Sequence, residues 1–224
     1  MFIKSLFTAT ALATACAVAG AAPAGTILQS RVQSPQGSFG GCYDIANAGN
    51  QSGLSAAYVS GSTDFDSFVA STTHASPTSG CDSGFTASAG LPQQFTMRLT
   101  DGDETIDALA FWSTDNIGSV TEFELFADSD GDFSNGGLVS LGVFNPVRSA
   151  GAAGHAGQVF SFGAITTTYL HLNARNTDGG PGLIPGIGEL AVRSAKDGTV
   201  PEPGALALVG LALAALGAAR RKSA

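Results

Sequence analysis

Residues 95–100 read Phe-Thr-Met-Arg-Leu-Thr, and this strict alternation constrains the fold more than any other stretch of the chain. Phe95, Met97 and Leu99 fall on one side, Thr96, Arg98 and Thr100 on the other. Successive side chains of a strand point to opposite faces, so such a segment is a half-buried strand of an antiparallel sheet. Leu170 and Leu172, set against Tyr169, His171 and Asn173, repeat the pattern. Other short runs rich in Phe, Val, Ile, Leu and Thr are separated by Gly, Asp, Asn and Ser. Together they predict strands over Ile27–Gln33, Phe68–Thr72, Gln94–Thr100, Thr105–Trp112, Val120–Ala127, Leu138–Phe144, Gln158–Phe162, Thr168–Ala174 and Ile187–Arg193. No helix-length periodic run interrupts them, and no internal repeat suggests a solenoid or propeller. Eight or nine short strands at regular spacing imply an all-β chain, an antiparallel β-sandwich or jelly roll.

The two ends read differently from this middle. Met1 to about Ala24 has one cation, Lys4, then an apolar stretch from Leu6 to Ala19, then small residues. That is the order of a secretory signal peptide, whose apolar part is a short helix and whose partner is signal peptidase. Pro23 would hinder cleavage after Ala22, leaving two sites, Ala21–Ala22 and Ala24–Gly25. Removing the segment removes Cys16 and leaves Cys42 and Cys81. Two thiols sent to an oxidising compartment pair, and neither lies in a CxxC motif or near a His that would favour metal. A Cys42–Cys81 bridge would close a loop worth on the order of 4 kcal/mol in the chain-entropy picture.

Charge removes several partners. Between Gly25 and Val200 there are 17 acidic residues against six basic ones, a net charge of −11. Such a body offers no basic stripe for nucleic acid. Anionic lipid and acidic polysaccharide would also be repelled unless a divalent cation bridged them.

The last 25 residues hold, in order, Pro201-Glu202-Pro203, an apolar run from Gly204 to Ala219, and Arg220-Arg221-Lys222. The prolines keep the tripeptide extended and accessible. The apolar run is comfortable only as a single membrane helix, and the basic cluster prefers the cytoplasmic side. At roughly 24 Å it is short of a ~30 Å hydrocarbon core, a weak anchor suited to being held briefly. This tripartite tail resembles the PEP-CTERM sorting signal read by exosortase enzymes of Gram-negative, exopolysaccharide-producing bacteria. The resemblance implies an exosortase-type partner reading Pro201, Glu202 and Pro203. It implies export across the inner membrane, a transient anchor there, and a final place at or outside the cell surface. The expected organisation is a signal peptide over 1–24, a β-sandwich over 25–199 and the sorting signal over 200–224.

From Gln93 onward the order of features resembles a discoidin-type (coagulation factor 5/8 C-domain-like) module of the galactose-binding-like fold. The pieces that carry it are QFTMRL, TIDALAFWSTD, VTEFELFADSDGDF, QVFSF, TTTYLHLNA and a closing GIGELAV. The early tryptophan-bearing strand of that family has no evident counterpart, and Phe68 would stand in for it. Carbohydrate-binding relatives hold a structural calcium between an early Asp-rich loop and a Glu opening the last strand. The resemblance therefore implies Asp64, Asp66 and Glu189 as its ligands.

No HExxH or GxSxG context surrounds His74, His155 or His171, and all three are expected at the surface. Asp128, Asp130 and Asp132 alternate as in a calcium loop. The Glu such a loop needs at its twelfth position is replaced by Val139, which favours a solvated turn. Trp112, at the end of a strand and leading into Asp115 and Asn116, either stacks on a sugar or belongs to the core. The reading that follows is an exported envelope or matrix protein, non-enzymatic, that binds carbohydrate or builds matrix. The alternative is a hydrolase or lyase of matrix polysaccharide, which would need two carboxylates ~5–10 Å apart in a cleft.

Overall fold

The computed structural model describes residues 25–34, 43–75, 85–86, 90–114, 118–148, 154–180 and 185–195. The signal segment, the sorting tail with Pro201-Glu202-Pro203, Cys42, Cys81, Asp115 and Asn116 lie outside the described residues. Among the described residues no helix is long and apolar enough to cross a membrane.

In chain order the elements are β1 (Ile27–Leu28), β2 (Ser30–Gln33), a 3-10 turn (Ile45–Ala48), α1 (Phe65–Ser71), β3 (Thr73–His74), β4 (Phe85–Thr86), β5 (Gln93–Leu99), β6 (Glu104–Trp112), β7 (Val120–Asp128), β8 (Val139–Phe144), β9 (His155–Ala156), β10 (Gln158–Thr167), β11 (Tyr169–Thr177), β12 (Gly186–Ile187) and β13 (Glu189–Ser194). Two antiparallel sheets dominate. One has the order β1-β13-β6-β10, the other β2-β5-β11-β7-β8, and the pairs β12-β4 and β3-β9 stand apart from them. The alternating residues of β5 and β11 do what their period requires. Phe95, Met97, Leu99, Leu170 and Leu172 are buried between the sheets with Leu109, Phe111, Phe123 and Leu125. Burying a large apolar side chain stabilises the fold by about 1.5–3 kcal/mol, so this interface carries most of the stability.

β6 is apolar on both faces, and the structure shows why. Its run Ala108 to Trp112 sends Leu109 and Phe111 into the inter-sheet core. Ala108, Ala110 and Trp112 go to a second cluster on the far side, with Phe65, Phe68 and Val69 of α1 and Tyr58. The two alanines are small enough for that layer to approach the sheet. A continuous apolar run is the mark of a strand covered on both faces.

Two sequence expectations need correction here. Phe68–Thr72 is not a strand: α1 covers Phe65–Ser71. Asp64 caps it, accepting from the Ser67 amide at 2.8 Å, and Phe65, Phe68 and Val69 share its buried face. The cap and the i, i+3, i+4 spacing outweigh the strand-forming tendency of Phe and Val in a segment this short. The expected strand Ile27–Gln33 breaks at Gln29. Its first part pairs with β13 of one sheet and its second with β5 of the other. One segment thus stitches the sandwich along its edge.

Candidate functional site

The outer face of the five-stranded sheet carries the polar half of the alternating strands. Paired residues form two rows across it: Gln33, Thr96, His171 and Phe126, and beside them Arg31, Arg98, Tyr169 and Asp128. The loop that follows β7 folds back over this face. Its turn is built by its own carboxylates. Asp128 Oδ1 accepts from the Ser129 amide at 2.7 Å, and Oδ2 from the Gly131 amide at 2.9 Å. Asp130 accepts from the amide of Asp132, and Asp132 from the amide and hydroxyl of Ser134. The alternating aspartates are therefore turn-formers, as Asx side chains often are. Gly131 sits at φ +79 with a side-chain position about 2.9 Å from the Tyr169 ring, so only glycine fits there.

The loop delivers Phe133, whose ring meets His171 edge-on at 4.8 Å and Phe126 at 5.8 Å. Half-buried Phe133 forms one wall of a groove of about 660 Å³. Gln33, Gln94 and Thr96 line it together with Ser34, Ile45, Asp132 and Ser134. Beneath it, His171 Nδ1 lies 3.0 Å from Thr96 Oγ1, and Nε2 lies 3.0 Å from Asp128 Oδ2. Burial alone would raise the Asp128 pKa, but hydrogen bonds from His171 and from the amides of Asp130, Ser129 and Gly131 outweigh it and hold the carboxyl below its ordinary range. The ionised Asp128 accepts a hydrogen bond from His171 Nε2–H, and in the neutral ring Nδ1 then accepts from the Thr96 hydroxyl. Thr96 then turns its lone pairs to the groove as an acceptor. The expectation of surface histidines fails for all three. His171 is sealed under Phe133, and His74 and His155 are buried as partners in the β3–β9 pair. A polar residue on an alternating strand faces solvent only where nothing covers that face.

The other predicted site residues disperse. Trp112 is fully buried, its indole N–H donating to the Thr72 carbonyl at 3.2 Å and its ring against Phe68. It has no face for a ligand to stack on. Asp64 is committed to the cap of α1, and Asp66 accepts from Arg193 Nη1 at 3.2 Å. Glu189 is buried at the start of β13, where its Oε2 accepts from the Gln51 amide at 3.0 Å. Among the described residues no three His, Cys, Asp or Glu side chains gather as a metal set, so the trio does not assemble. Asp64 and Asp66 serve the exposed start of α1, whereas Glu189 lies in the interior. Only Glu189 keeps a feature a cation would satisfy, a buried Oε1 with no hydrogen-bond partner. Burial raises its carboxyl well above the ordinary range, against the pull of the Gln51 amide. Phe133, Gln33 and Gln94 were missed in the sequence. Phe133 was legible only as part of a turn, since nothing local says that the turn folds back onto the sheet.

The architecture defines an antiparallel β-sandwich, and its structural neighbours are carbohydrate-binding modules of the discoidin-like, galactose-binding-like fold. Among solved structures, the chain is similar to the CpGH89CBM32-5 module from Clostridium perfringens, solved in complex with GalNAc-β-1,3-galactose. The TM-score is 0.50 at 16% identity, over 75% of this chain and 100% of that one. It is also similar to chitosan-binding module 1 of a chitosanase/glucanase from Paenibacillus sp. IK-5, with a TM-score of 0.46, 12% identity, and 75% and 96% of the two chains covered. Residues 199–222 match the PEP-CTERM protein-sorting motif. That motif marks an exported protein with a membrane-associated sorting signal, and it implies exosortase processing. No curated protein matches the chain.

Proposed function

We propose that this is a sorted, exported carbohydrate-binding protein of the cell envelope or extracellular matrix, that it performs no chemistry, and that the groove beside Phe133 receives the glycan. The observation that carries the reading is the joining of an aromatic wall to converging neutral polar groups. A pyranose has an apolar face and a ring of hydroxyls. Phe133 offers the first an aromatic surface, and Gln33, Gln94, Thr96 and Ser134 offer the second both donors and acceptors. His171, Asp128 and Phe126 fix Phe133 from below, so little freedom is lost on binding. The similar CpGH89CBM32-5 module was solved with GalNAc-β-1,3-galactose bound, which supports a glycan as the class of ligand. A role in an exopolysaccharide matrix and a place at the surface of a Gram-negative cell accord with the sorting motif.

The test is a glycan array followed by calorimetry on the purified full chain. Binding to at least one oligosaccharide is expected, weakened about tenfold, or 1.4 kcal/mol, by Phe133→Ala. Absence of binding to every glycan, or full affinity in the Phe133 variant, sinks the assignment. Release of reducing ends from any polysaccharide would overturn the non-enzymatic part.

A further inference from the structure

Five arginines fall among the described residues, and three of them have carboxylate partners: Arg148 with Asp178, Arg175 with Glu124, and Arg193 with Asp107 and Asp66. Arg31 and Arg98 form no ion pair and no side-chain hydrogen bond among the described residues. Both are exposed, and they are direct cross-strand partners of one another on β2 and β5. Like charges placed opposite each other on one sheet face destabilise it. In a body with 17 acidic residues, two arginines left facing each other without a carboxylate are the reverse of what charge-pairing alone would produce. They line a recess of about 180 Å³ with Leu99 and Thr100. That recess is one pair further along the same face from Gln33 and Thr96, which line the groove. Neighbouring same-face residues on a strand are ~6.6 Å apart, so a chain of sugars lying along the sheet would reach from one to the other.

We infer that Arg31 and Arg98 together seat the carboxylate of a uronic acid unit, so that the ligand of the groove is an acidic polysaccharide. This rests on the groove reading above and names its substrate class. Arg31 and Arg98, paired across β2 and β5, line one recess, and a guanidinium is a planar fork of N–H donors suited to gripping a carboxylate at two oxygens. The bound anion also cancels the repulsion between the arginines. The net charge of the body does not forbid this, because exposed charges further than ~8 Å away are largely screened at physiological salt. Tyr169, cross-strand partner of Arg98, continues the row toward the Phe133 loop, where the neutral part of the sugar would lie.

Calorimetry on the full chain in detergent, with a galacturonic acid hexamer and a neutral galactose hexamer, decides the matter. The acidic hexamer is expected to bind at least tenfold tighter at 50 mM salt, with the advantage shrinking at 300 mM. The double variant Arg31→Gln/Arg98→Gln should lose that preference while its affinity for the neutral hexamer stays within twofold. Arg98→Lys, which keeps the charge and loses the fork, should recover only part of it. Melting temperatures at or above wild type in the glutamine variants would show that they fold. Equal affinity for the two hexamers in the wild type, or a preference that survives the double variant, overturns this inference and leaves the groove reading intact. No binding of either hexamer, or of any other glycan, removes the groove reading itself. Arginine-dependent binding to phosphatidylglycerol vesicles without binding to the acidic hexamer would also overturn it.

Discussion

His171 Nε2 lies 3.0 Å from Asp128 Oδ2, with the two side chains only 0% and 1% exposed. The pair ties β11 to the end of β7 and carries the loop that places Phe133. Its strength depends on Asp128 staying ionised. Because the folded-state pKa is lowered, the stabilisation is present above the unfolded carboxyl range near 3.9 and is lost as pH falls through the lower folded value. Asp128→Ala should cost about 2–3 kcal/mol at neutral pH in urea melts, since it removes hydrogen bonds to a buried charge. The difference from wild type should shrink below about pH 4. An undiminished difference at pH 2 would contradict the ionised pair.

Buried groups at the other end of the molecule set the rest of the pH profile. Burial lowers the His74 pKa from 6.5 to about 4, even though its Nε2 is 2.9 Å from the Ser52 carbonyl oxygen. The unfolded chain takes up that proton first, so stability falls as pH drops from about 6.5 towards 4, by roughly 3 kcal/mol at most. Glu189 acts in the opposite sense. Its raised folded pKa means stability is full below the unfolded value and is lost as pH rises through the folded one. Glu189→Gln keeps an acceptor for the Gln51 amide and stays neutral at every pH. In calcium-free buffer at pH 7.5 it should raise stability by about 1 kcal/mol, or ~3 °C in melting temperature. A lower melting temperature would count against a buried neutral acid.

The same scan, repeated with calcium and with chelator, separates the carboxylates. Any calcium-dependent rise in melting temperature should be unchanged in Asp66→Ala and in Asp64→Ser, which keeps the cap, because neither carboxylate joins Glu189 in the fold. Loss of the calcium response in either variant would restore the ligand set that the sequence suggested.

Trp112→Phe tests the core against the ligand surface. The indole fills the space beside Gly157, where a Cβ would come within 2.8 Å of it. Shrinking the ring opens a cavity and frees the Thr72 carbonyl, for a loss of about 2–3 kcal/mol. Glycan affinity should stay within twofold of wild type. A tenfold loss of affinity without loss of stability would return Trp112 to the binding surface.

Glu202 is the only charge in the Pro201-Glu202-Pro203 motif, within the residues that match the sorting signal. Glu202→Ala should leave the precursor uncut in the inner membrane, seen by intact mass and fractionation. Normal processing would argue against a cationic pocket in the enzyme that reads it.

The strands were legible because period-two patterning is local: Phe95, Met97 and Leu99 declare a buried face whatever the rest of the chain does. The same locality explains the failures. Phe68 reads as a strand residue until Asp64 caps the turn before it, and His171 reads as exposed until a loop 38 residues earlier in sequence lays Phe133 across it. Net charge is silent on placement in a comparable way. It weighs against acidic polysaccharide unless a divalent cation bridges, and it cannot say that β2 and β5 align Arg31 with Arg98.

By itself the sequence determined the all-β class, the inward and outward faces of the main strands and the sorting address, because each is written in contiguous residues with a fixed period or order. Only the tertiary structure decided which outward face is covered, that Asp64 and Asp66 part from Glu189, that Trp112 is core, and that Phe133, Arg31 and Arg98 share one surface. Those relations depend on sheet register and on where loops return, and both are set by the packing of segments distant in the chain.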